Sequence, residues 1–331
     1  MISLVVIAVA YALVLPRIAS YTAVWKELRT LSWPWLVGLG AATVLNNLTL
    51  APPLMVVVRG LKPIRAVRLT QTSTAVSLAL PGGATVGMAA VFAMLRSWGV
   101  SRAEAGRAIA VAGLWSQGAV LIFPIVAVAV LAVDHRGSTI LYAAAAAAGL
   151  ICLTIVSAAA AVAARPGAAE RVLSRLDRLL ARARRVGGRA PSWDAAGLIR
   201  FRADTAELIR RRWVALSVAT ALNQLSGFLV LDLCLRAVGV GAAEISVSES
   251  FAAWSTGRLI SSLPTTPGGV GLVELSLTGI LVGFGGHNAR VIAAVLLYRA
   301  LVIVPTLVAG TIAGAAAVLW RADRVGGSPG S

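Results

Sequence analysis

Two short apolar runs, residues 247–263 and 272–284, flank a break that is rich in proline and glycine. A helix needs about 20 residues to cross the hydrocarbon core of a bilayer, and both runs are shorter than that. Proline and glycine are unfavourable in helix interiors, so one helix cannot run through the break. Because broken backbone at membrane depth must be buried in protein or line a wet cavity, the pattern predicts a re-entrant pair of half-helices that turns near mid-membrane. The break residues that carry this prediction are Pro264, Pro267, Gly268, Gly269 and Gly271.

The first half of the chain contains a break of the same build, between the apolar runs 69–80 and 88–95. Its residues are Pro81, Gly82 and Gly83. Downstream of the two breaks, residues 110–115 parallel residues 293–298 in their apolar pattern. Three full spans are predicted between the breaks, so the second copy is upside down, and inverted repeats with discontinuous helices are typical of transporters. The alternative is a chance likeness, since glycine and proline are common in membrane helices.

About six full transmembrane helices are predicted. Five come from long apolar runs at residues 36–58, 108–133, 139–164, 213–235 and 291–320, and a short first one comes from residues 2–15. The first run could instead be a secretory signal, but it lacks the positively charged segment that precedes such a core. The predicted fold is an all-α polytopic membrane protein with two inverted-repeat re-entrant helix pairs. We expect one integral membrane domain over residues 1–325, with repeat-like halves at about 36–133 and 213–320, and a disordered tail at 326–331.

Residues 165–212 form the one long polar segment, with thirteen arginines against five acidic residues. Because positive charge gathers on the cytoplasmic side of membrane proteins, we expect this segment and both chain termini in the cytoplasm. In its first part, arginines and leucines recur at helical periodicity on opposite faces. This pattern predicts an amphipathic helix that lies on anionic headgroups. The arginines of that face are Arg171, Arg175, Arg178 and Arg182. The alternative is topological charge without lipid recognition, and a second short helix is predicted at 195–210.

The composition agrees with a membrane protein, because 58% of the 331 residues are hydrophobic and only 13% are charged. Soluble domains carry about 25% charged residues. A net charge of +17 would indicate nucleic-acid binding in a soluble chain. Here the positive charge lies in loops between apolar spans, so the membrane surface explains it and no nucleic-acid partner is expected. We expect the protein to be integral to a bacterial inner (cell) membrane.

Sequence signals for catalysis are weak in this chain. Cys152 and Cys234 both lie in apolar spans, and His135 and His287 are far apart, so neither a disulfide framework nor a metal site is expected. Residues 268–271 are glycine-rich, but no strand precedes them and no Lys-Ser/Thr follows, which argues against a nucleotide-binding loop. We therefore expect neither an enzyme active site nor a cofactor.

Three groups of span residues have structural interpretations. Asn46 and Asn47 lie within the span 36–58, where hydrogen bonding between helices is the simplest role. Asp232 is followed by Arg236 one helical turn later, which favours an ion pair near the membrane interface. The small residues 143–148 are suited to close helix packing, either within one protomer or between the protomers of a homo-oligomer.

The ionisable residues Arg258 and Glu274 flank the second break, and Arg299 lies in the last span. Charged side chains inside a membrane are expensive and are functional candidates by default. Half-helix N-termini carry a partial positive charge and arginine binds phosphate in a bidentate way, so the break suits a phosphate headgroup. Glu274 could compensate the arginines, bind a cationic group or carry a proton. The alternative is a buried Arg–Glu pair that only stabilises the fold.

Residues 263–274, Leu-Pro-Thr-Thr-Pro-Gly-Gly-Val-Gly-Leu-Val-Glu, and 296–299, Leu-Leu-Tyr-Arg, resemble motifs of a known family. This family is the flippase-like membrane domain of lysylphosphatidylglycerol synthases, together with its stand-alone relatives. The resemblance implies a membrane fold with re-entrant helices, movement of lipids between leaflets, and a place for Tyr298 in the translocation site. The first break departs from the family, whose members usually carry an Arg and a Glu there. The chain also has no aminoacyl-transferase domain, so synthase activity is not expected.

The sequence thus predicts a lipid translocase that exposes a phospholipid or lipid-linked sugar headgroup to each leaflet in turn. The main alternative is a non-transporting scaffold or regulator of a lipid- or glycan-synthesising enzyme, with residues 165–212 as its docking surface. A third interpretation is a small-solute or ion transporter, which would need a closed aqueous vestibule. The expected partners are accordingly a membrane phospholipid or lipid-linked sugar and, for the scaffold, a lipid-modifying enzyme.

Overall fold

The computed structural model describes residues 29, 31–79, 83–133, 195–262 and 269–326, without the side chains of 195–202 and 315–326. Every regular element in these ranges is an α-helix, which confirms the predicted all-α fold. In chain order the helices are α1 (Trp33–Leu48), α2 (Pro52–Val57), α3 (Pro63–Ala79), α4 (Gly83–Ser97), α5 (Arg102–Val133), α6 (Ala195–Ala237), α7 (Val247–Ser261), α8 (Leu272–Gly283) and α9 (Asn288–Gly326).

Several predicted features lie outside the described residues and stay predictions. They are the spans 2–15 and 139–164, the small residues 143–148, the arginine face of Arg171, Arg175, Arg178 and Arg182, the end of the tail at 327–331, and the break residues Pro81, Gly82, Pro264, Pro267 and Gly268. Of the residues predicted to form the two breaks, Gly83, Gly269 and Gly271 are described.

Four stretches are long and apolar enough to cross a membrane, namely Trp33–Val57, Arg102–Val133, Ala203–Ala237 and Asn288–Gly314. They correspond to the predicted spans 36–58, 108–133, 213–235 and 291–320. Large apolar side chains lie exposed on their outer faces, among them Val44, Leu114 and Val218. A bilayer covers such faces with hydrocarbon, whereas contiguous apolar surface of this extent is unusual on a soluble monomer.

The first of these stretches is interrupted, although the apolar pattern predicts one span at 36–58. α1 ends at Leu48 and α2 begins at Pro52. Pro52 and Pro53 have no N–H groups to donate to the carbonyls one turn earlier, so the helical ladder stops. The hydroxyl of Thr49 donates to the carbonyl of Asn46 at 2.9 Å and turns the chain at this point. The interruption leaves the polar end of α1 inside the helix bundle.

α6 unites two elements that the pattern predicts as separate, the short helix 195–210 and the span 213–235. The carboxylate of Glu207 pairs with Arg210 and Arg211, which lie one turn further along. Such pairs support a helix across the junction between its polar and apolar parts. α6 packs against α1, α2, α5, α7 and α9 and is therefore the centre of the bundle.

α3 and α4 form the first hairpin, and their backbones are in direct contact. A Cβ atom at Gly83 would lie 1.9 Å from the carbonyl oxygen of Ser77, and one at Gly87 would lie 2.9 Å from that of Ser73. Later residues of α4 thus meet earlier residues of α3, which defines an antiparallel pair. Only glycine permits backbones to approach this closely. The predicted break between 69–80 and 88–95 is present, although α3 begins earlier, at Pro63.

α7 and α8 form the second hairpin in the same way. A Cβ atom at Gly257 would lie 2.8 Å from Cδ2 of Leu277, and one at Gly269 would lie 3.7 Å from the Cα of Ser261. In an uninterrupted helix, residues 261 and 269 would be about 12 Å apart. The chain therefore reverses between α7 and α8, where the prolines and glycines predict a break.

Each hairpin packs against the long helix of the other half. α3 lies against α9 and α7 lies against α5, while α4 and α8 pack on α5 and α9 of their own halves. The contact between α3 and α9 is very close, since a Cβ at Gly310 would lie 2.5 Å from the carbonyl oxygen of Gln71. Two copies of one structural unit would give this reciprocal arrangement. Their relative orientation stays a prediction, because it depends on the span 139–164.

An aromatic cluster joins α5, α6 and α7. The rings of Phe123, Phe228, Phe251 and Trp254 have centroid distances between 5.1 and 6.0 Å, mostly in edge-to-face geometry. Trp254 is only 2% exposed. Aromatic pairs of this kind add to the free energy of burial, so the cluster fixes the position of α7 in the bundle.

The two ends of the bundle differ in charge. Arg107 on α5 pairs with Asp204 on α6 at 2.8 Å, at the end where the α2–α3 and α4–α5 connections lie. The other end carries the predicted ion pair of Asp232 with Arg236, at 2.9 Å. The first end is strongly basic, and its location on the cytoplasmic side stays a prediction. Its basic residues include Arg59, Lys62, Arg65, Arg68, Arg96, Arg102 and Arg107.

Candidate functional site

Glu274 lies in the first turn of α8, whose N-cap is Gly271. Its Oε2 accepts the backbone N–H of Gly271 at 2.7 Å, which is the glutamate half of a capping box. Gly271 has a φ of 88°, in the left-handed region that glycine adopts without steric penalty. The spacing Gly-x-x-Glu therefore starts α8 and directs the carboxylate back towards the break.

Arg299 on α9 forms a buried ion pair with Glu274. Its Nε donates to Glu274 Oε1 at 2.7 Å, and the two side chains are 8% and 3% exposed. Removing charges from water costs several kcal/mol per ion, which a pair recovers only through close contact and further hydrogen bonds. One oxygen of Glu274 accepts a hydrogen bond from Arg299 and the other accepts one from Gly271. The carboxylate therefore links α9 to the start of α8.

Arg258 lies in the last turn of α7, on the other side of the break. Its Nε is buried and has no hydrogen-bond partner among the described residues. A buried cationic donor without a partner is costly, because water no longer solvates it. The structure thus pairs Glu274 with Arg299, and it leaves one guanidinium donor of Arg258 available at the same break.

The remaining predicted residues of the second break have different roles. Gly269 is buried with a φ of 66°, and a Cβ there would lie 2.8 Å from Cγ2 of Val273, so glycine is required by both backbone and space. Tyr298 is buried in the same apolar core cluster as Leu277, and its place in a translocation site stays a prediction. Consecutive helix residues point about 100° apart, so Tyr298 does not share the face of Arg299.

The first break has no equivalent charges. Placing Pro81 against Pro267 puts Thr72 at the position of Arg258 and Met88 at that of Glu274. Thr72 has a buried hydroxyl without a hydrogen-bond partner in the described residues, at the position where the second half has a guanidinium. In the first hairpin, Gly83 allows the backbones of α3 and α4 to come into close contact. The charged site therefore belongs to the second hairpin alone.

Neutral polar side chains form a second feature of the interior, which we call the neutral cluster. Asn47 Oδ1 accepts from Thr306 at 3.0 Å, and the Asn47 carbonyl accepts from Gln71 at 3.2 Å. Asn46 Oδ1 accepts from Ser226 at 3.2 Å. These bonds confirm the predicted role of the two asparagines in joining helices. The members of the neutral cluster are Asn46, Asn47, Gln71, Ser226, Trp254 and Thr306.

The sequence pattern did not predict Gln71, Trp254 or Thr306 as members of this cluster. Each is buried, at 3%, 2% and 3% exposure. A lone Gln or Thr in an apolar helix is an ordinary observation. Only tertiary packing brings Gln71 and Thr306 to Asn47, and Trp254 to the space beside Gly227. A polar residue within a predicted span is the one signal that could have drawn attention to Gln71 and Thr306.

The fold and the site define an all-α integral membrane protein. Its long helices are apolar, two of its helix hairpins are broken at glycine, and a buried ion pair lies beside one of these breaks. Residues 1–310 match the family described as the lysylphosphatidylglycerol synthase TM region, and the chain belongs to that family. The match confirms the family resemblance of the Pro-Gly motif and relates the protein to lipid modification. A comparison with curated proteins found no match.

Proposed function

We propose that this protein is a lipid translocase that moves a phospholipid or lipid-linked headgroup between the two leaflets. In this proposal Arg258 and Arg299, at the break between α7 and α8, hold the headgroup phosphate. The observation that carries the proposal is the buried Nε of Arg258, which has no partner in the described residues, at the break that the Glu274–Arg299 pair borders.

The charge at this break supports a phosphodiester ligand. Arg258 and Arg299 each bring one guanidinium group, and the carboxylate of Glu274 offsets one of the two. The N-terminus of α8 adds a partial positive charge at the same place. A phosphodiester carries one negative charge, so it would balance the site, and guanidinium groups match its oxygens geometrically.

Glu274 has a positioning role in this proposal. Its two oxygens hold Arg299 and the backbone of Gly271, at 2.7 Å each. A proton carrier would have to break its hydrogen bonds to Arg299 and Gly271 at each transfer. A residue that only positions Arg299 keeps both bonds throughout. We therefore assign to Glu274 the orientation of Arg299 towards the break rather than the movement of a proton.

The reciprocal hairpins supply a route for the headgroup. Each hairpin is packed on the long helix of the other half, so a small relative movement of the halves would change both breaks together. If the hairpins are re-entrant from opposite sides, as the inverted repeat predicts, the site would open to one leaflet at a time. Alternating access of this kind is the usual mechanism of inverted-repeat transporters.

The test is lipid movement in vesicles that contain the purified protein. Phosphatidylglycerol with a fluorescent acyl chain is followed by quenching of the outer leaflet with dithionite. The wild-type protein should move it faster than protein-free vesicles. Arg258→Gln should slow the movement about ten- to a hundredfold, because a hydrogen bond to a charged group contributes about 1.5–3 kcal/mol.

The matched control is Arg107→Gln, which removes an arginine of the basic end that pairs with Asp204. This variant should move lipid at the wild-type rate. Equal rates in wild-type and protein-free vesicles would reject the translocase and favour the scaffold function. Equal rates for Arg258→Gln and wild type would remove Arg258 from the site.

A further inference from the structure

The neutral cluster adjoins the charged site along α7. Trp254 precedes Arg258 by one turn of this helix, so the two side chains share a helix face. One turn corresponds to about 5 Å, which is a distance that one lipid headgroup can bridge. A neutral polar side chain therefore lies one turn from Arg258, and no member of the cluster is charged.

Two members of the cluster have unmet hydrogen-bonding groups of opposite kind. Trp254 Nε1 is a buried donor and Gln71 Oε1 a buried acceptor, and neither has a hydrogen-bond partner among the described residues. Inside a bilayer such groups are costly to leave unpaired, since no bulk water replaces the missing partner. Buried polar atoms without a partner in the described part of the chain call for one, such as a bound ligand.

Gly227 on α6 marks the place where an occupant would fit. A Cβ atom there would lie 3.4 Å from Oδ1 of Asn46 and 3.8 Å from Nε1 of Trp254, both in ordinary contact. The space beside Gly227 is therefore bordered by an acceptor and a donor. Because no atom would be displaced, a methyl group at this position occupies the space without disturbing the fold.

We propose that the neutral cluster receives the uncharged hydroxyl groups of a glycerol or sugar headgroup whose phosphate lies at the charged site. A hydroxyl both donates and accepts, so beside Gly227 it can accept from Trp254 and donate to Asn46. An ammonium group donates only, and it would leave the indole N–H of Trp254 unpaired. This inference rests on the proposed translocase function and specifies its substrate class.

The buried acids strengthen the discrimination against ammonium groups. The buried carboxylates of the described residues are Glu249 and Glu274. Glu274 is engaged by Arg299, and Glu249 caps α7 by accepting from the backbone N–H and hydroxyl of Ser246, at 2.7 Å each. A cationic headgroup would thus enter a net positive site without a free carboxylate to neutralise it.

The experiment compares headgroups in the vesicle assay. Acyl-labelled phosphatidylglycerol and phosphatidylinositol present hydroxyls, while phosphatidylethanolamine and lysyl-phosphatidylglycerol present ammonium groups. The hydroxyl lipids should move at least about tenfold faster than the ammonium lipids, because a site built for hydroxyl groups rejects headgroups that cannot replace their hydrogen bonds. Within the hydroxyl pair, the faster lipid identifies glycerol or a sugar-like ring as the better ligand.

Two variants test the cluster itself. Gly227→Ala should fill the space, and Trp254→Phe should remove the indole donor while keeping an aromatic ring. Both should reduce the preference for hydroxyl lipids to about twofold or less. The control Gly118→Ala changes a helical glycine of α5 with nothing within 4 Å of a Cβ, and it should keep the wild-type preference.

The possible outcomes separate the two proposals. If no labelled lipid moves faster than in protein-free vesicles, the translocase proposal fails and this inference fails with it. If lipids move but ammonium headgroups are as fast or faster, the translocase stands and the hydroxyl preference is wrong. An unchanged preference in both Gly227→Ala and Trp254→Phe would also overturn the role of the neutral cluster.

Discussion

Arg299 Nε lies 2.7 Å from Glu274 Oε1, although 25 residues separate the two in the chain. The pair joins the first third of α9 to the first turn of α8, and both side chains are almost completely buried. It therefore sets the position of the second break relative to the last span. Since α9 also contacts α3, the pair connects the charged break to the first hairpin.

The first prediction concerns the charge balance of this pair. Glu274→Leu should lower the free energy of unfolding by about 3–5 kcal/mol, because Arg299 loses its counter-charge. The double variant Glu274→Leu/Arg299→Met should recover most of that loss, since both charges are gone. Thermal unfolding in detergent measures both. The double variant should still fail to move lipid.

An exposed pair provides the control for this experiment. Asp204→Asn breaks the Arg107–Asp204 pair, where Asp204 is 60% exposed, and should change stability by less than about 1 kcal/mol. If the double variant were as unstable as the single one, the loss would come from the cap on Gly271 and not from the unpaired charge.

The second prediction concerns the backbone at the start of α8. Gly271→Ala should destabilise the protein by about 1–2 kcal/mol, because Gly271 has a φ of 88° and a side chain is strained there. Gly279→Ala, in the same helix with nothing within 4 Å of a Cβ, should be neutral or slightly stabilising. Equal melting temperatures for the two variants would contradict the left-handed turn.

The third prediction tests the contact between the two halves. A Cβ at Gly310 would lie 2.3 Å from Cβ of Ala75, so Gly310→Ala must push α3 away from α9. Such overpacking costs about 1–3 kcal/mol. Gly314→Ala is the matched control one turn later, where the nearest atom, Cγ2 of Thr72, is 3.8 Å away. Similar melting temperatures for both variants would argue against the close approach of α3 and α9.

Much of the fold could be predicted from the sequence because it depends on local patterns. Proline and glycine end helices wherever they occur, so both breaks and the arms that flank them were predictable. The same rule should have revealed the interruption at Pro52 and Pro53, which the apolar run 36–58 concealed. The continuity of α6 through residue 210 was missed for the opposite reason, since a change from polar to apolar composition does not interrupt a helix.

The candidate site was predictable only in part. Arg258, Glu274 and Arg299 were recognisable because charges are rare in membrane spans. Their pairing was not, because either arginine could reach the carboxylate as far as the sequence shows. Gln71, Trp254 and Thr306 had no individual signal, since each is an ordinary residue until the helices pack around Asn46 and Asn47.

The sequence by itself determined that the chain is an all-α membrane protein, that two helix pairs are broken by Pro-Gly motifs, and which ionisable residues lie in or beside apolar helices. These properties depend on backbone preferences and hydrophobicity over one or two helical turns. Only the tertiary structure decided that Glu274 binds Arg299, that each hairpin packs on the other half, and that the neutral cluster exists. Those contacts join residues far apart in the chain, and helix packing rather than local preference determines which of them meet.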